Sequence, residues 1–431
     1  MRRRNRSFAP WRSARQTRRQ RASCAVLRSW GLQPLHPLAL SHFCLANCLG
    51  AGLDATLAAI MDAESGLRPC VFDTVNLPTY VGEVRGLEAL RLRAELAEYD
   101  CRNNRLAQLA LEQDGFIDAV AATAVKYGSD RIAVVVGTST SGIHETELDY
   151  RRRDSITGAL PNDFCYQKTH STSSVAEFVS RHLSLTGPAV VVSSACSSSA
   201  QAFGVAARMI EAGLCDAAVV GGADSLCLTT LYGFHSLELV SDAPCRPFDI
   251  SRKGISIGEA AGFALLEKVD QRGEANALLL LGVGESSDAH HMSTPHPEGL
   301  GARLAMERAL AAAGVGPQAI DYINLHGTAT LTNDAAEDRA VFALFGADTP
   351  CSSTKGFTGH ALGAAGINEA IISALSIRHN IIPGSAHTRT VDPALRSRYV
   401  IERRRGRVER VLSNSFGFGG SNCSLILGRA V

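Results

Sequence analysis

The sequence predicts an α/β protein, because short β-branched apolar segments alternate with alanine-rich segments of helical length. The clearest buried strands are residues 131–137, 189–193 and 217–221. A strand that is repeatedly followed by a helix implies a mainly parallel sheet with helices on both faces. The chain has 431 residues, of which 45% are hydrophobic and 20% charged. That composition supports a large core and excludes a disordered or fibrous protein.

The elements follow in two series along the chain. In the first, the helices surrounding those three strands are predicted at residues 107–127, 173–183 and 198–213. The second contains strands at 277–283, 322–325 and 410–413, and helices at 301–313, 335–345 and 363–379. Gly314 suits the left-handed position that ends the predicted helix 301–313. A polar stretch at 269–275 marks the joint, so we predict an N-terminal half at 38–274 and a C-terminal half at 275–431.

Residues 1–37 differ from the rest of the chain. They contain ten arginines and no acid, whereas the remainder has 33 basic and 42 acidic residues, a net charge of −9. Three interpretations compete: an upstream stretch translated from a start site set too early, an organelle transit peptide, or a basic arm for an acidic partner or nucleic acid. In each case we expect this extension to lie outside the fold.

The twelve cysteines show no repeating spacing. Cys44 and Cys48 have no second pair or nearby histidine couple, so a zinc site is not expected. A chain with a full-sized core needs no disulfides, which favours reduced thiols and a cytoplasmic location. No apolar run approaches the ~18 to 20 residues of a membrane span.

Cys196 is the candidate nucleophile. It lies in residues 190–203 (VVVSSACSSSAQAF), where a strand passes into a helix through a turn of small residues. A helix N-terminus favours the thiolate form of a cysteine, and free backbone amides nearby can bind an oxyanion. The alternative is a buried structural cysteine, which we expect for most of the other eleven.

Two histidine loops follow. His326 comes directly after a predicted strand, with Thr328 and Thr330 placed to bind a polar substrate arm. A satisfied core histidine is the alternative for His326. Asp334 and Glu337 suit an N-cap residue and its capping-box partner at the next helix.

The second loop, residues 353–366 (STKGFTGHALGAAG), brings a cation and an imidazole together. Lys355 and His360 lie in a glycine-rich apolar stretch, in a chain with five lysines. Its glycines allow the backbone to pass close to a ligand. Near the C-terminus, the segment 414–422 (NSFGFGGSN) places Phe418 in a flexible turn, either a hairpin turn or a hinged lid over a pocket.

Together these segments resemble the β-ketoacyl-acyl-carrier-protein synthases of the ketoacyl synthase I and II branch, from about Ser41 to the end. The resemblance includes residues 246–262 (RPFDISRKGISIGEAAG) and 287–295 (SDAHHMSTP). Residues 41–50 (SHFCLANCLG) also resemble the ketosynthases of bacterial aryl-polyene and related type II polyketide pathways.

The resemblance implies a thiolase-like, five-layered αβαβα fold of two similar α/β halves, usually dimeric. It implies that Cys196 accepts the acyl chain and that His326 and His360, neutral with Nε2 protonated, stabilise the malonyl enolate. The backbone N–H groups of Cys196 and Phe418 would hold the oxyanion, and Phe418 would gate the acyl pocket. Thr328 and Thr330 would contact phosphopantetheine.

It further implies that Lys355 supports the loop through a pairing with Glu337, and that Asp334 and Glu337 are structural supports. No metal or cofactor is required, because the substrates carry phosphopantetheine on acyl carrier protein. The expected partners are that carrier protein and a second subunit, identical or ketosynthase-like, with no nucleic acid and no membrane span. The sequence departs from many relatives at Ala329, where they have a glycine, and the added methyl group is expected to narrow the tunnel.

The sequence leaves other functions to be distinguished. A non-condensing partner subunit that sets chain length would lack the cysteine. A ketoacyl synthase III would have asparagine in place of His360. A thiolase would use a second cysteine near the C-terminal turn, but we expect Cys423 to be buried in a strand. For carrier-protein docking, the candidates are Arg91 with Arg93, or residues 151–153, with a solvated face as the alternative.

Overall fold

The computed structural model describes residues 35–269 and 277–430. The predicted boundary at 274/275 and residues 1–34 of the predicted extension lie outside this part. Leu35 belongs to the folded body, because its N–H donates to Ala312 O at 3.1 Å and its side chain packs against the core. The extension predicted at 1–37 therefore overlaps the fold at residues 35–37.

Seventeen strands occur in the described residues. In chain order they are β1 Leu38–Asn47, β2 Gly50–Ala51, β3 Arg68–Pro69, β4 Tyr80–Gly82, β5 Ile132–Gly137, β6 Ala189–Val192, β7 Ala217–Asp224, β8 Ile257–Gly258, β9 Ala260–Lys268, β10 Leu278–Ser287, β11 Tyr322–Asn324, β12 Pro350–Ser352, β13 Ile381–Ile382, β14 Arg398–Tyr399, β15 Arg404–Arg405, β16 Arg410–Gly417 and β17 Ser421–Arg429.

Eleven α-helices lie between them in the same part of the chain. They are α1 Leu53–Met61, α2 Arg102–Leu111, α3 Phe116–Tyr127, α4 Ile143–Arg151, α5 Ser173–His182, α6 Ser198–Glu211, α7 Leu228–Ser236, α8 Leu300–Ala312, α9 Leu331–Phe345, α10 Lys355–Thr358 and α11 Ala365–His379. Short 3-10 turns occupy Ala94–Tyr99, Ser129–Arg131, Pro317–Ala319, Leu362–Ala364 and Phe418–Gly420. None of these helices is both long and apolar enough to cross a bilayer.

The main sheet runs in the order β14-β12-β11-β16-β17-β10-β1-β9-β7-β5-β6. It is parallel towards both ends, but the ladders from β16 through β17, β10, β1 and β9 to β7 are antiparallel. The prediction of a mainly parallel sheet was therefore wrong for its centre. β1, β9 and β17 lack the β-branched runs that marked the other strands. β9 and β17 pair within their own halves, and the short β1–β10 ladder joins the two halves.

The predicted α/β architecture with five layers is confirmed. The sheet bends at the short β1–β10 pairing into two halves, and α6 and α11 pack between them. Helices α2, α3 and α5 cover the outer face of the first half, and α8 covers that of the second with α9 beside it. Burial of α11 is nearly complete, from Ala365 to Ile377.

One predicted helix is divided. Residues 107–127 form the end of α2 and all of α3, separated at Asp114 and Gly115, which have φ values of 57° and 68°. The Asp114 carboxylate accepts the Leu53 N–H at 3.1 Å, so the break is held by α1. A helix cannot continue through two left-handed residues.

The loops predicted to carry chemistry leave the carboxyl ends of strands. β6 leads to Cys196, β11 to His326, β12 to Lys355 and β16 to Phe418. Because β11, β12 and β16 are parallel, their loops emerge at one edge of the second half. The two halves meet there, and the loop from β6 meets the others.

Candidate active site

Cys196 lies in a sharp turn between β6 and α6. Ala195 before it has a φ of 51°, which is uncommon for a residue other than glycine, and Ser197 after it is the N-cap of α6. The strained turn places the sulfur at the helix N-terminus with 5% of the residue exposed. The strand–turn–helix arrangement predicted from the sequence is confirmed.

The two predicted histidines meet this cysteine. The ligand atoms of Cys196, His326 and His360 all lie within 4.8 Å of one another. The imidazole rings stand edge to face, with centroids 5.2 Å apart and an interplanar angle of 83°. A thiol and two imidazoles from three loops thus converge on one point.

Lys355 pairs with a different carboxylate from the one expected. Its ammonium forms a buried ion pair with Glu369 on α11, and both residues are 1% exposed. The predicted pairing with Glu337 was wrong. Glu369 follows Lys355 by fourteen residues, and the packing of α11 beneath the histidine loops brings the two together.

The same ammonium orients His326. Lys355 Nζ donates to His326 O at 2.6 Å and lies 3.4 Å from His326 Nδ1. An ammonium can only donate, so Nδ1 is the acceptor and the ring proton resides on Nε2. His326 therefore presents an Nε2–H donor at the site.

Both imidazoles are held neutral. Burial lowers the pKa of His326 well below its ordinary value, and Lys355 and His360 lower it further. Burial followed by the charge of Lys355 lowers the pKa of His360 in the same way. A neutral imidazole carries one N–H group, through which it can donate a hydrogen bond to a carbonyl oxygen.

The resting state of Cys196 is the thiol. Burial raises its pKa to about 11, against the charge of Lys355 and the Phe418 N–H directed at the sulfur, which both lower it. The thiolate fraction of the free protein is therefore small at neutral pH and grows as the pH rises.

We expect alkylation of Cys196 by iodoacetamide to be still accelerating at pH 9, because deprotonation continues towards a pKa of about 11. Intact-mass kinetics between pH 6 and 10 measure this, with the exposed Cys165 as internal reference and Cys196→Ala to identify the signal. A rate that levels off below pH 8 would contradict the prediction.

A pocket that is open to solvent lies above the three groups. Thr328 and Thr330 line it, with their hydroxyls 2.9 Å apart, as do Cys196, His326 and His360. Phe418 lines it from the β16–β17 turn, with its ring 5.4 Å from that of Phe234. The predicted arm-binding and gate residues therefore share one cavity.

The turn that carries Phe418 is held by residues 288–292. Gly419 N–H donates to Met292 O at 2.7 Å, and Asp288 N–H donates to Gly420 O at 2.8 Å. Cys423 lies beyond this turn, inside β17 and fully buried, as predicted.

Asp334 and Glu337 support the His326 loop, but not as a helix cap. Glu337 accepts the N–H groups of His326 at 2.8 Å and Gly327 at 2.7 Å, and Asp334 accepts that of Phe248 at 2.8 Å. The N-cap of α9 is Thr330. The capping-box prediction was wrong because the helix begins four residues earlier than expected.

Ala329 does not narrow the pocket. It has a φ of 67°, and its side chain packs outward with Leu67 and Cys245. The cost of alanine at this position is therefore backbone strain of about 1 kcal/mol.

Sequence reasoning also missed Gln201 and Asn414. Gln201 Nε2 donates to Ser421 Oγ at 2.7 Å and lies 3.2 Å from Ser197 Oγ, which joins the nucleophile helix to the Phe418 turn. Asn414 donates to Glu337 at 3.1 Å. Neither has a sequence signal, whereas Glu369 could have been found as a lone acid within an apolar helix.

This chain is similar to known proteins over most of its length. The model for the beta-ketoacyl synthase N-terminal domain matches residues 104–272, and that for the C-terminal domain matches residues 278–389. The 3-oxoacyl-[acyl-carrier-protein] synthase 2 of Coxiella burnetii is 32% identical over 407 residues, covering 88% of this chain and 95% of that protein. Its counterpart in Rhizobium meliloti is 42% identical over 262 residues, covering 57% and 62%.

A solved structure also matches over most of its length. A chain in the complex of the ketosynthase ApeO with its chain length factor ApeC from Xenorhabdus doucetiae has a TM-score of 0.82 and 40% identity. The match covers 92% of this chain and 98% of that chain. On these matches, this chain belongs to the β-ketoacyl synthase family of condensing acyltransferases.

Proposed function

We propose that this chain is a 3-oxoacyl-[acyl-carrier-protein] synthase, which lengthens an acyl chain by decarboxylative Claisen condensation. The observation that carries the proposal is the convergence of the Cys196 thiol with two buried, neutral imidazoles within 4.8 Å. This set supplies a nucleophile for the acyl group and two donors for an enolate.

In the first half-reaction, Cys196 sulfur attacks the carbonyl carbon of an acyl thioester. The carbon–sulfur bond to the carrier breaks, and the proton lost by Cys196 leaves with the carrier thiol. The oxyanion that forms in between is held by the N–H groups of Cys196 and Phe418. Such a donor contributes roughly 10²- to 10³-fold to the rate.

In the second half-reaction, malonyl thioester occupies the pocket. Its carbon–carboxylate bond breaks, CO2 leaves, and the electron pair forms an enolate whose oxygen accepts hydrogen bonds from the Nε2–H of His326 and from His360. The enolate carbon then attacks the acyl–Cys196 carbonyl, and the Cys196 thiolate departs. This is covalent, two-step catalysis.

The surrounding residues orient these groups. Lys355, neutralised by Glu369, keeps His326 in its Nε2–H form, and Glu337 and Asp334 hold the loop. Thr328 and Thr330 are placed to contact the phosphopantetheine arm. The steps as written use only protein groups, and the arm arrives with the substrate, so we propose that no resident metal or cofactor takes part.

We further propose that the chain pairs with a second ketosynthase-like subunit. Strand β6 lies at a free edge of the main sheet, and its apolar residues Ala189–Val192 are exposed or half-buried. Such an edge is a template for pairing with another chain. Two similar structures, with 40% and 26% identity to this chain, contain a ketosynthase and a chain length factor.

The pathway we propose is polyene or polyketide elongation rather than housekeeping fatty-acid synthesis. Support comes from the segment 41–50 and from near-full-length matches: identity is 40% over 92% of this chain for the ApeO–ApeC structure and 32% over 88% for the Coxiella burnetii synthase. The 42% identity to the Rhizobium meliloti synthase covers only 57% of this chain.

Intact mass spectrometry tests the function. The protein is incubated with a panel of acyl carrier proteins, alone and with a candidate partner, and malonyl carrier protein is then added while CO2 is followed. We expect an acyl mass on the wild type, none on Cys196→Ala, and CO2 release coupled to condensation. If no acyl mass appears under any condition, the chain is a non-condensing partner subunit.

A further inference from the structure

The basic residues that the sequence suggested for carrier-protein docking are largely engaged in internal contacts. Arg151 forms a two-pronged ion pair with Asp73, both contacts at 2.8 Å, and Arg152 pairs with Asp149 and Asp163. Arg91 donates to the carbonyls of Glu88 and Leu90. Arg151 and Arg152, whose charges are already paired, are poorly placed to attract an acidic partner.

Three other arginines lie outside these ion pairs. Arg68 and Arg389 are exposed, and Arg246 is half-buried. Within residues 35–269 and 277–430, none of the three takes part in an ion pair, and Arg68 donates to the carbonyls of Ser65 and Leu67. The charges of Arg68 and Arg389 are therefore available to a ligand from outside.

The chain segments that carry these arginines converge on the outer side of α10. Ser65 Oγ donates to Gly356 O at 2.9 Å. A β-carbon placed on Gly356 would lie 3.4 Å from Ala386 N and 3.7 Å from Cys245 O. Residues 65–68, 245–249 and 386–389 thus meet at one short helix.

His387 marks the centre of this cluster. It is half-buried, and its Nε2 has no hydrogen-bond partner among the described residues. Burial lowers its pKa, and the charges of Arg389, Arg246 and Arg68 lower it further, so all three guanidinium groups act on one side chain.

The acid nearest to the cluster is already occupied. The Asp249 carboxylate accepts the N–H groups of Arg389 at 2.7 Å, Ser251 at 2.8 Å and Thr390 at 3.1 Å. These bonds fix the 386–390 loop. Burial raises the pKa of the Asp249 carboxyl, but the three bonds and the charge of Arg246 lower it overall, so the charge of Arg246 is partly compensated within the protein.

The cluster lies beside the arm-binding side of the pocket. Leu67 and Cys245, each next to one of the arginines, pack against Ala329, which separates Thr328 from Thr330. Phe248 donates to Asp334, the residue after Asn333 on the pocket wall. A partner bound at the cluster would therefore stand beside the loop that carries Thr328 and Thr330.

We propose that Arg68, Arg246 and Arg389 form the docking surface for an acidic acyl carrier protein, an inference that rests on the proposed function. The body of this chain carries a net charge of −9, so an acidic partner requires a local basic surface. Arginine guanidinium groups match carboxylates in a two-pronged geometry and steer association over long range.

Direct binding tests the docking surface separately from turnover. Dye-labelled holo carrier proteins from a panel of type II synthases are titrated into the full-length protein, with its partner subunit if one copurifies. The test variant is Arg68→Glu/Arg389→Glu. Its matched control is Arg404→Glu/Arg405→Glu, the same charge change at two exposed arginines of β15, beyond the opposite end of β16 from Phe418.

We expect the test variant to weaken carrier binding by about tenfold or more and to flatten its salt dependence, while the control changes it by less than about twofold. A carrier with two acidic residues changed to lysine should recover affinity for the test variant. The KM for carrier-borne substrate should rise at least tenfold more than the KM for a small thioester.

Equal binding by the test and control variants, or no carrier binding to the wild type, overturns the docking surface. The proposed function fails separately: binding that depends on the arginines, without any acyl transfer to Cys196, would keep the surface and make the chain a non-condensing subunit.

Discussion

Replacing His326 or His360 by alanine should abolish CO2 release from malonyl thioester while acyl transfer to Cys196 persists. Each imidazole is neutral and buried beside the sulfur, with 2% of the residue exposed. Each supplies a hydrogen-bond donor to the enolate oxygen. Loss of one donor costs roughly 10²- to 10⁴-fold in rate. The oxyanion of acyl transfer is held instead by backbone N–H groups, which these substitutions leave in place.

The measurement follows CO2 release and acyl-enzyme mass in parallel. His360→Asn, which keeps a side-chain donor, should retain more decarboxylation than His360→Ala. His379→Ala is the matched control, because His379 is exposed at the end of α11. Normal CO2 release by both alanine variants would refute the assigned roles.

The second large effect is expected on stability. Lys355→Met should destabilise the protein by about 3 to 5 kcal/mol, because it leaves the Glu369 carboxylate buried without its cation. Glu369→Gln should cost less than this if the glutamine amide keeps a contact with Lys355. The double variant Lys355→Met/Glu369→Leu should recover part of the loss, since it removes both buried charges.

The pH dependence has a definite sign. Burial raises the pKa of Glu369 to about 7, against Lys355, which lowers it, and loss of Lys355 raises it further. A carboxyl group with a raised pKa in the folded state binds a proton more readily there than in the unfolded state. The Lys355→Met deficit should therefore be smallest near pH 5 and grow as the pH rises through 7.

Urea denaturation at pH 5.5 and pH 8 measures both effects. Lys253→Met is the control, because Lys253 pairs with Asp242 at the surface, with 66% and 58% of the two side chains exposed. We expect a change of less than about 1 kcal/mol there. A Lys355→Met variant as stable as the wild type at pH 8 would show that Glu369 does not need its cation.

Local patterns identified the elements whose residues are uniformly apolar. Strand β5 is fully buried over Ile132–Gly137, and it was predicted within one residue. The continuous strands β1 and β9 were not predicted, and β17 was predicted only as a strand around Cys423, because their small and polar residues match neither an alternating nor a β-branched pattern. β1 and β9 pair with each other although more than 200 residues separate them, which no local pattern shows.

The chemistry of the site depends on short segments, which explains why it could be predicted. A cysteine in a strand-to-helix turn and a histidine directly after a strand can each be recognised from the local sequence, whatever the distance between the segments. The structure brings all three residues together. Their surroundings depend on long-range packing. Glu369 could be noticed as a lone acid in an apolar helix, but its choice over Glu337 as the partner of Lys355 could not be predicted, because both acids lie on helices of the same half.

By itself, then, the sequence determined the α/β class from the alternation of strand and helix segments along the chain. It also determined the nucleophile and the two histidines, because each of these is encoded within a dozen consecutive residues. Only the tertiary structure decided the mixed strand order, the Lys355–Glu369 pair and the gathering of Arg68, Arg246 and Arg389 around His387. Those features join residues that are 14 to more than 300 positions apart, and a charge selects its partner by the space that packing leaves around it.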